Sequence, residues 1–288
     1  MSIQRPGGIA AIAAIALIGA LGLSSCAVNE QNLPETDSDL SGTLVGAGSS
    51  AQQSAQEAWV FGFQVANPDV TVEYDPIGSG GGRDTFAAGG SQFAGTDRAF
   101  NDDEVAADEF AGCVPGSGIV EIPNMISPIA VIFNLEGIES LDLDAATIAG
   151  IFTGDITSWS DSVITEQNPD ENLPDLTITA VHRADDSGTT ANFTDYLAAN
   201  APEVWTAGAV DSWPEEYPGE AAPQTSGVVD AVTNGTGTIG YADASRAGNL
   251  GTVSVRVGDE YVPYSPEAAS AIVDVSTFVE GRGPYDLA

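Results

Sequence analysis

Lysine is missing from this chain altogether, and its basic residues are seven arginines against 42 Asp and Glu in 288 residues. The formal net charge of −35 creates a field that repels nucleic acid and anionic lipid surfaces, which excludes both as partners. We read the acidity itself as a solubility device rather than as an acidic site. Histidine occurs once, at position 182, so a hydrolase reading would have a single imidazole to serve as general base. Cysteine occurs at 26 and 113 only. If the first is consumed by processing, no intramolecular disulfide and no thiolate metal site remain. Cofactors and metals are therefore not expected.

What the chain does have begins at its N-terminus. After Arg5 runs "GGIAAIAAIALIGALGLSSC", which has the length of a signal-peptide core and is short for a bilayer span. Leu23-Ser24-Ser25-Cys26 resembles the box cut in bacterial lipoproteins, with Cys26 becoming the lipidated first residue. Residues 1–25 are thus read as a signal peptide. Residues 26–42, "AVNEQNLPETDSDLSG" after the cysteine, form a polar tether. The only membrane contact expected is that lipid anchor.

Beyond residue 42, short apolar runs alternate with helical stretches, the pattern of an α/β protein. "GTLVGAGSS" is a strand entering a Gly/Ser loop, and "AQQSAQEAWVFGFQVAN" is a helix stopped by Asn67-Pro68. "VTVEYDPIG", "SGGGRDTFAAGG" and "SQFAGTDRAF" supply a strand, a loop with a short helix, and a third strand end. "GIVEIPNMISPIAVIFN" reads as one long buried strand and a crossover between domains. "LDAATIAGIFTG" is a helix, "LTITAVHRADDSGTTANFTDYLAAN" repeats the strand, loop, helix unit, and "SGVVDAVTNGTGTIGYAD" adds a helix, a turn and a strand. A hydrophobic content of 43% supports one large or two smaller domains.

In three of these units a strand ends in small residues and a helix follows: Ser49-Ser50, Ser79-Gly80 and Ser187-Gly188-Thr189. Helix N-termini carry unpaired N–H groups and partial positive charge, so an anion seated there accepts hydrogen bonds without needing a cation. Such donors act at contact distance, whereas the bulk charge is screened over about 8 Å at physiological salt. A Ser or Thr in this position can equally be an ordinary N-cap.

Taken in order and spacing, "LVGAGSS", "IGSGGG", "FAGTD", "IFTGDITSWSD", "VHRADDSGTTANFTDYL" and "GTIGYAD" resemble the phosphate-binding subunit of the bacterial high-affinity phosphate ABC transporter. The resemblance covers nearly all of residues 43 to 270. It implies a two-lobed periplasmic-binding-protein-like α/β fold with a ligand cleft between the lobes. On that plan 43–119 is the N-terminal half of lobe I, and 120–288 is lobe II with the segment leading back to lobe I. Family members continue well past the point matched by "GRGPYDLA", which implies that the C-terminal part of lobe I is missing here.

The resemblance further implies inorganic phosphate as ligand, with the permease and ATPase subunits of an ABC importer as partners, and no enzymatic step. Position by position, it assigns phosphate contacts to Ser50, Ala51, Ser79, Asp97, Arg183, Ser187, Gly188 and Thr189. Ala51 would act through its backbone N–H; many family members carry a larger residue there. Asp185 would hold the Arg183 guanidinium. Asp186, where glycine can stand in the family, is read as the N-cap of the following helix.

A carboxylate beside a bound anion is intelligible for phosphate. An ionised Asp97 can only accept, phosphate near neutral pH has a proton to give, and fully ionised sulfate has none. The alternatives are a binding protein for sulfate or molybdate, and a serine hydrolase using His182. The latter is disfavoured because His182 reads as an exposed strand end.

Overall fold

The computed structural model describes residues 39–107 and 109–275. The expected signal peptide, Cys26 and most of the expected tether lie outside the described residues, as does the stretch after 275. No helix among the described residues is long and apolar enough to cross a membrane.

The N-terminal part builds a small parallel sheet. Strand β1 (Gly42–Gly48) lies between β2 (Val70–Asp75) and β3 (Phe93–Gly95). Helix α1 (Gln53–Ala66) stops where Asn67 returns its backbone N–H and its side-chain amide to the Phe63 carbonyl, and Pro68 cannot continue it. Helix α2 (Ser79–Ala87) owes its glycines to close packing. A Cβ on Gly82 would fall 2.3 Å from the Gly48 Cα, so α2 can approach β1 only without side chains there. The short α3 (Asp102–Ala107) follows.

The second lobe is a mixed seven-stranded sheet made of β4 (Ile129–Phe133), β5 (Ser140–Leu143), β6 (Thr179–Arg183), β7 (Glu220–Ala222), β8 (Thr238–Asp243), β9 (Gly251–Val257) and β10 (Glu260–Val262). Its order is β10-β9-β4-β8-β6-β7, with β5 parallel to β9. Helices α4 (Ala145–Thr153), α5 (Ser162–Gln167), α6 (Gly188–Asn200) and α7 (Gln224–Asn234) accompany it, and α8 (Pro266–Val275) closes the described chain. The α4 boundaries show why the sequence turns there. Asp144 caps the start by accepting from the Thr147 N–H at 2.8 Å, and Gly154 ends the helix at φ +84°.

Both clusters of buried apolar side chains among the described residues belong to this larger lobe. One gathers Phe133, Phe152, Trp159, Phe193, Trp205 and Tyr241 on one side of the sheet; the other centres on Ile132, Val181 and Val228 under α7. The smaller lobe is less filled. Trp59, Phe61 and Phe63 stand exposed on α1, as do Val114, Val120 and Ile122 in the segment after α3.

That segment corrects one expectation. The run from Gly118 to Asn134 is not one long buried strand: only Ile129–Phe133 pairs, and the residues before it are irregular, with Val120, Ile122 and Ile126 exposed. The physical reason lies in Pro123 and Pro128, which cannot donate to a ladder. Just after Pro128, strand pairing with Asp243 begins at Ile129.

Candidate functional site

The ends of β1 and β3 and the start of α2 face the loop between β6 and α6 and the start of α7. Here the structure brings the two lobes together through polar groups. Ser50, buried at the end of the first loop, shares a 3.1 Å hydrogen bond with the Thr225 hydroxyl and accepts the Thr225 N–H at 3.0 Å. Gly80 N–H donates to the Asp186 carbonyl at 3.1 Å. A Cβ on Gly188 would lie 2.7 Å from Ser79 Oγ and 2.8 Å from the Asp97 Cβ, so only glycine allows this approach.

Asp97 follows β3 by two residues and is half-buried. Its Oδ2 accepts from Ser79 Oγ at 3.4 Å and from Thr189 Oγ1 at 3.3 Å, and its Oδ1 accepts from Gln52 Nε2 at 3.4 Å. Its backbone N–H donates to Ser79 Oγ, and its carbonyl accepts from Asn192 Nδ2. These side-chain bonds are long, which leaves the carboxylate oxygens capacity to accept from a better donor.

Arg183 ends β6 and is buried at 3% exposure. Its guanidinium forms a two-pronged pair with Asp185, Nε donating to Oδ1 at 2.8 Å and Nη2 donating to Oδ2. Asp185 Oδ1 also accepts the Gln224 N–H at 2.8 Å. The Arg183 backbone N–H donates to the Tyr241 hydroxyl at 3.3 Å, which in turn is 2.7 Å from Thr190 Oγ1. Burial above all pushes the Tyr241 phenol up to about 12, so it stays neutral and acts as a fixed strut beneath the arginine.

The predicted set is thus assembled. Ser50, Ser79, Asp97, Arg183, Ser187, Gly188 and Thr189 all lie at the junction of the lobes, and half-buried Ala51 adjoins it after Ser50. The ordinary capping reading holds for Ser187, which accepts from the Thr190 N–H. It fails for the other two loops. No side chain caps α1 or α2, and the hydroxyls of Ser50 and Ser79 point instead to Thr225 and Asp97.

Two expectations are corrected. Asp186 does not cap α6, since Ser187 does. Its side chain accepts from Ser212 Oγ and its carbonyl takes Gly80, so it serves the junction rather than the helix end. His182 is not an exposed strand end. It is 8% exposed and stacked on Trp213 at 4.6 Å between ring centroids, with Nδ1 2.9 Å from the Arg183 carbonyl. Burial lowers its pKa, partly opposed by that carbonyl. Among the described residues no serine hydroxyl is hydrogen-bonded to it, so the geometry builds no nucleophile and base pair.

Several residues at the junction escaped the sequence reading: Thr225, Gln52, Arg83, Arg98 and Asp211. Arg83, on α2, is 4% exposed and bonds Thr96 Oγ1 and Asp211, so Arg183 is not the sole cation of the region. For Thr225 a signal existed. It lies in the first turn of α7, which starts at Gln224 directly after Pro223, in the manner of the other loops, but no Gly/Ser run marks it. Asp211 carries none, because the partners of its side chain, Arg83 and Arg98, lie more than a hundred residues away. A cavity of about 760 Å³ runs beside β3 and reaches the site at Asp97 and Thr189. Among the described residues no group of three or more His, Cys, Asp or Glu side chains could hold a metal ion.

The arrangement is a set of neutral donors around one rigid arginine and one acceptor, suited to a tetrahedral oxyanion carrying a proton. Similar proteins are known. Phosphate-binding protein PstS 3 of Mycobacterium tuberculosis is 37% identical over 80% of this chain and 64% of its own length. Phosphate-binding protein PstS of Xylella fastidiosa is 30% identical over 76% of this chain and 58% of its own. The chain therefore spans under two thirds of these relatives.

Among solved structures, a candidate phosphate ABC transporter substrate-binding protein from Clostridium perfringens, solved with phosphate, aligns over 81% of this chain and 82% of its own. The TM-score is 0.62 and the identity 23%. A high-affinity periplasmic phosphate-binding protein, PfluDING, aligns over 83% and 70%, with a TM-score of 0.67 and 20% identity. At these identities the likeness speaks for the fold. The family profile described as PBP superfamily domain matches residues 33–284, and with the two-lobed fold and its converging loops in place, the chain belongs to that family.

Proposed function

We propose that this chain captures inorganic phosphate outside the cytoplasm and delivers it to the permease and ATPase subunits of an ABC importer. It would be held at the cell membrane by a lipid on Cys26. Binding is non-covalent and uses no metal, cofactor or catalytic step. Ser50, Ser79, Ser187 and Thr189 would donate through hydroxyl or backbone groups, Ala51 and Gly188 through backbone N–H, and Arg183 through a fork held by Asp185.

The observation that carries the reading is Asp97 between the hydroxyls of Ser79 and Thr189. A carboxylate there accepts the proton that phosphate retains, and repels an anion with none. This argues against sulfate or molybdate as the intended ligand. A chain with a net charge of −35 can hold an anion because the donors act at contact distance inside a closed junction, where the distant carboxylates are screened. The relatives named as phosphate-binding proteins support the same ligand.

Calorimetric titration of a ligand-stripped sample tests the proposal. One phosphate per chain is expected; heat with sulfate or molybdate and none with phosphate would overturn it.

A further inference from the structure

Asp211 lies on the loop after α6 and is joined to three of the site's loops. Its backbone carbonyl accepts the N–H of Ser187, the residue that caps α6, at 2.9 Å. Its Oδ2 accepts from Arg83 Nη2 at 2.9 Å and from Arg98 Nε and Nη2 at 3.1 and 3.0 Å. Arg83 sits on α2, one turn beyond Ser79, and Arg98 directly follows Asp97. Arg98 also pairs with Glu104, its Nη1 donating to Oε2 at 2.9 Å. The next residue in the loop, Ser212, donates to Asp186, whose carbonyl takes Gly80.

The charges divide between the lobes. Arg83, Arg98 and Glu104 belong to the smaller lobe, and Asp211 to the larger. Two guanidiniums side by side repel, and burial together with the Arg98 charge lowers the pKa of Arg83. Among the described residues the Asp211 carboxylate is the one group from the other lobe that relieves both, and it can do so only while the lobes are together. With 28% side-chain exposure, against 4% for Arg83 and 27% for Arg98, it is sheltered enough to count and close enough to water to rehydrate on opening.

We propose that Asp211 is the latch of cleft closure: a positioning residue that holds the lobes shut over the ligand through Arg83 and Arg98, without contacting the ligand itself. The proposal rests on the oxyanion-capture reading for its ligand. Because the latch forms after the ligand has entered, it acts on escape. Its loss raises the dissociation rate and leaves the association rate nearly unchanged. A residue that merely buttressed α6 would not show this split, since the α6 contact is made by the Asp211 backbone and survives substitution.

The test compares wild type with Asp211→Ala, Asp211→Glu and Arg98→Ala by stopped-flow fluorescence with inorganic phosphate, with circular dichroism as the check on folding. Asp211→Ala and Arg98→Ala should each raise the phosphate dissociation rate about tenfold, as expected for truncating one member of a partly sheltered charge pair. A double variant carrying Asp211→Ala and Arg98→Ala should lose no more than Asp211→Ala alone, because the Arg98 contact is already gone in that variant while Arg83 is released in both. Asp211→Glu should restore most of the slow release.

Wild-type release rates in folded Asp211→Ala and Arg98→Ala, or additive losses in the double variant, overturn the latch. If Asp211→Ala does not fold, Arg98→Ala, a half-exposed position, decides alone. If wild type gives no phosphate signal, the capture reading fails first. Sulfate or molybdate, whichever the protein binds, then takes the place of phosphate in the same comparison: faster release from folded Asp211→Ala supports the latch, and wild-type release overturns it.

Discussion

Replacing Arg183 with alanine should cost the protein most of its affinity for phosphate while leaving it folded. The side chain is 2% exposed and locked by two hydrogen bonds to Asp185, which is itself 23% exposed and receives one further donor, the Gln224 N–H. Truncation removes a rigid two-pronged donor from the junction. It also leaves a sheltered carboxylate with one donor where it had three, now free to repel an incoming anion. Truncating one member of a buried, hydrogen-bonded charge pair costs about 2–5 kcal/mol, and each 1.4 kcal/mol is roughly a factor of ten. Affinity should therefore fall by about 30-fold or more.

Arg183→Lys should recover part of this, because an ammonium restores the charge without the planar fork. Calorimetry against phosphate gives the affinities, and a thermal melt followed by circular dichroism verifies folding. An affinity within about threefold of wild type in a folded Arg183→Ala protein would refute the reasoning and put the whole burden on the backbone and hydroxyl donors.

Gly188→Ala should weaken phosphate by about 1–3 kcal/mol, the usual scale of forced overlap in a packed site, because the added methyl meets Ser79 Oγ and Asp97 at under 3 Å. Titration reads it, and unchanged affinity would show that the lobes need not approach this closely. His182 gives a pH test. Its folded pKa lies below the ordinary value of about 6.5, so the stability of the neutral, buried form is fully present above that pH. It is lost as pH falls through the depressed value. Urea melts from pH 5 to 7.5 should show wild type losing stability on acidification more steeply than His182→Phe, and parallel curves would contradict this.

Much of the fold was legible because local signals agreed with it. Asn67-Pro68 stops α1, Asp144 and Gly154 bracket α4, and the three strand, loop, helix units lie where their small residues fall. The segment before β4 was misread because an apolar run was counted without weighing Pro123 and Pro128. His182 was misread because the Trp213 that covers it is 31 positions later, from another loop, and periodicity along a strand cannot see a lid. The same limit hid Thr225, Arg83 and Asp211. Their roles exist only across the junction, and no spacing rule joins position 83 to position 211. Asp186 was given the wrong task for a subtler reason. Adjacent Asp186 and Ser187 are both good N-caps, and the choice between them was made by which one the turn aims at Thr190.

The central claim is that Asp97 makes the site one for a protonated oxyanion. Paired calorimetric titrations of phosphate and sulfate against wild type and Asp97→Asn, at one pH and one salt concentration, test it most directly. Wild type should bind phosphate and discriminate strongly against sulfate, because a half-buried acceptor facing an anion with no proton to give disfavours the analogue. Asp97→Asn offers an N–H donor in place of an acceptor, so phosphate should weaken and sulfate improve. Equal losses for both anions, or a wild type that takes sulfate as readily as phosphate, would contradict the account.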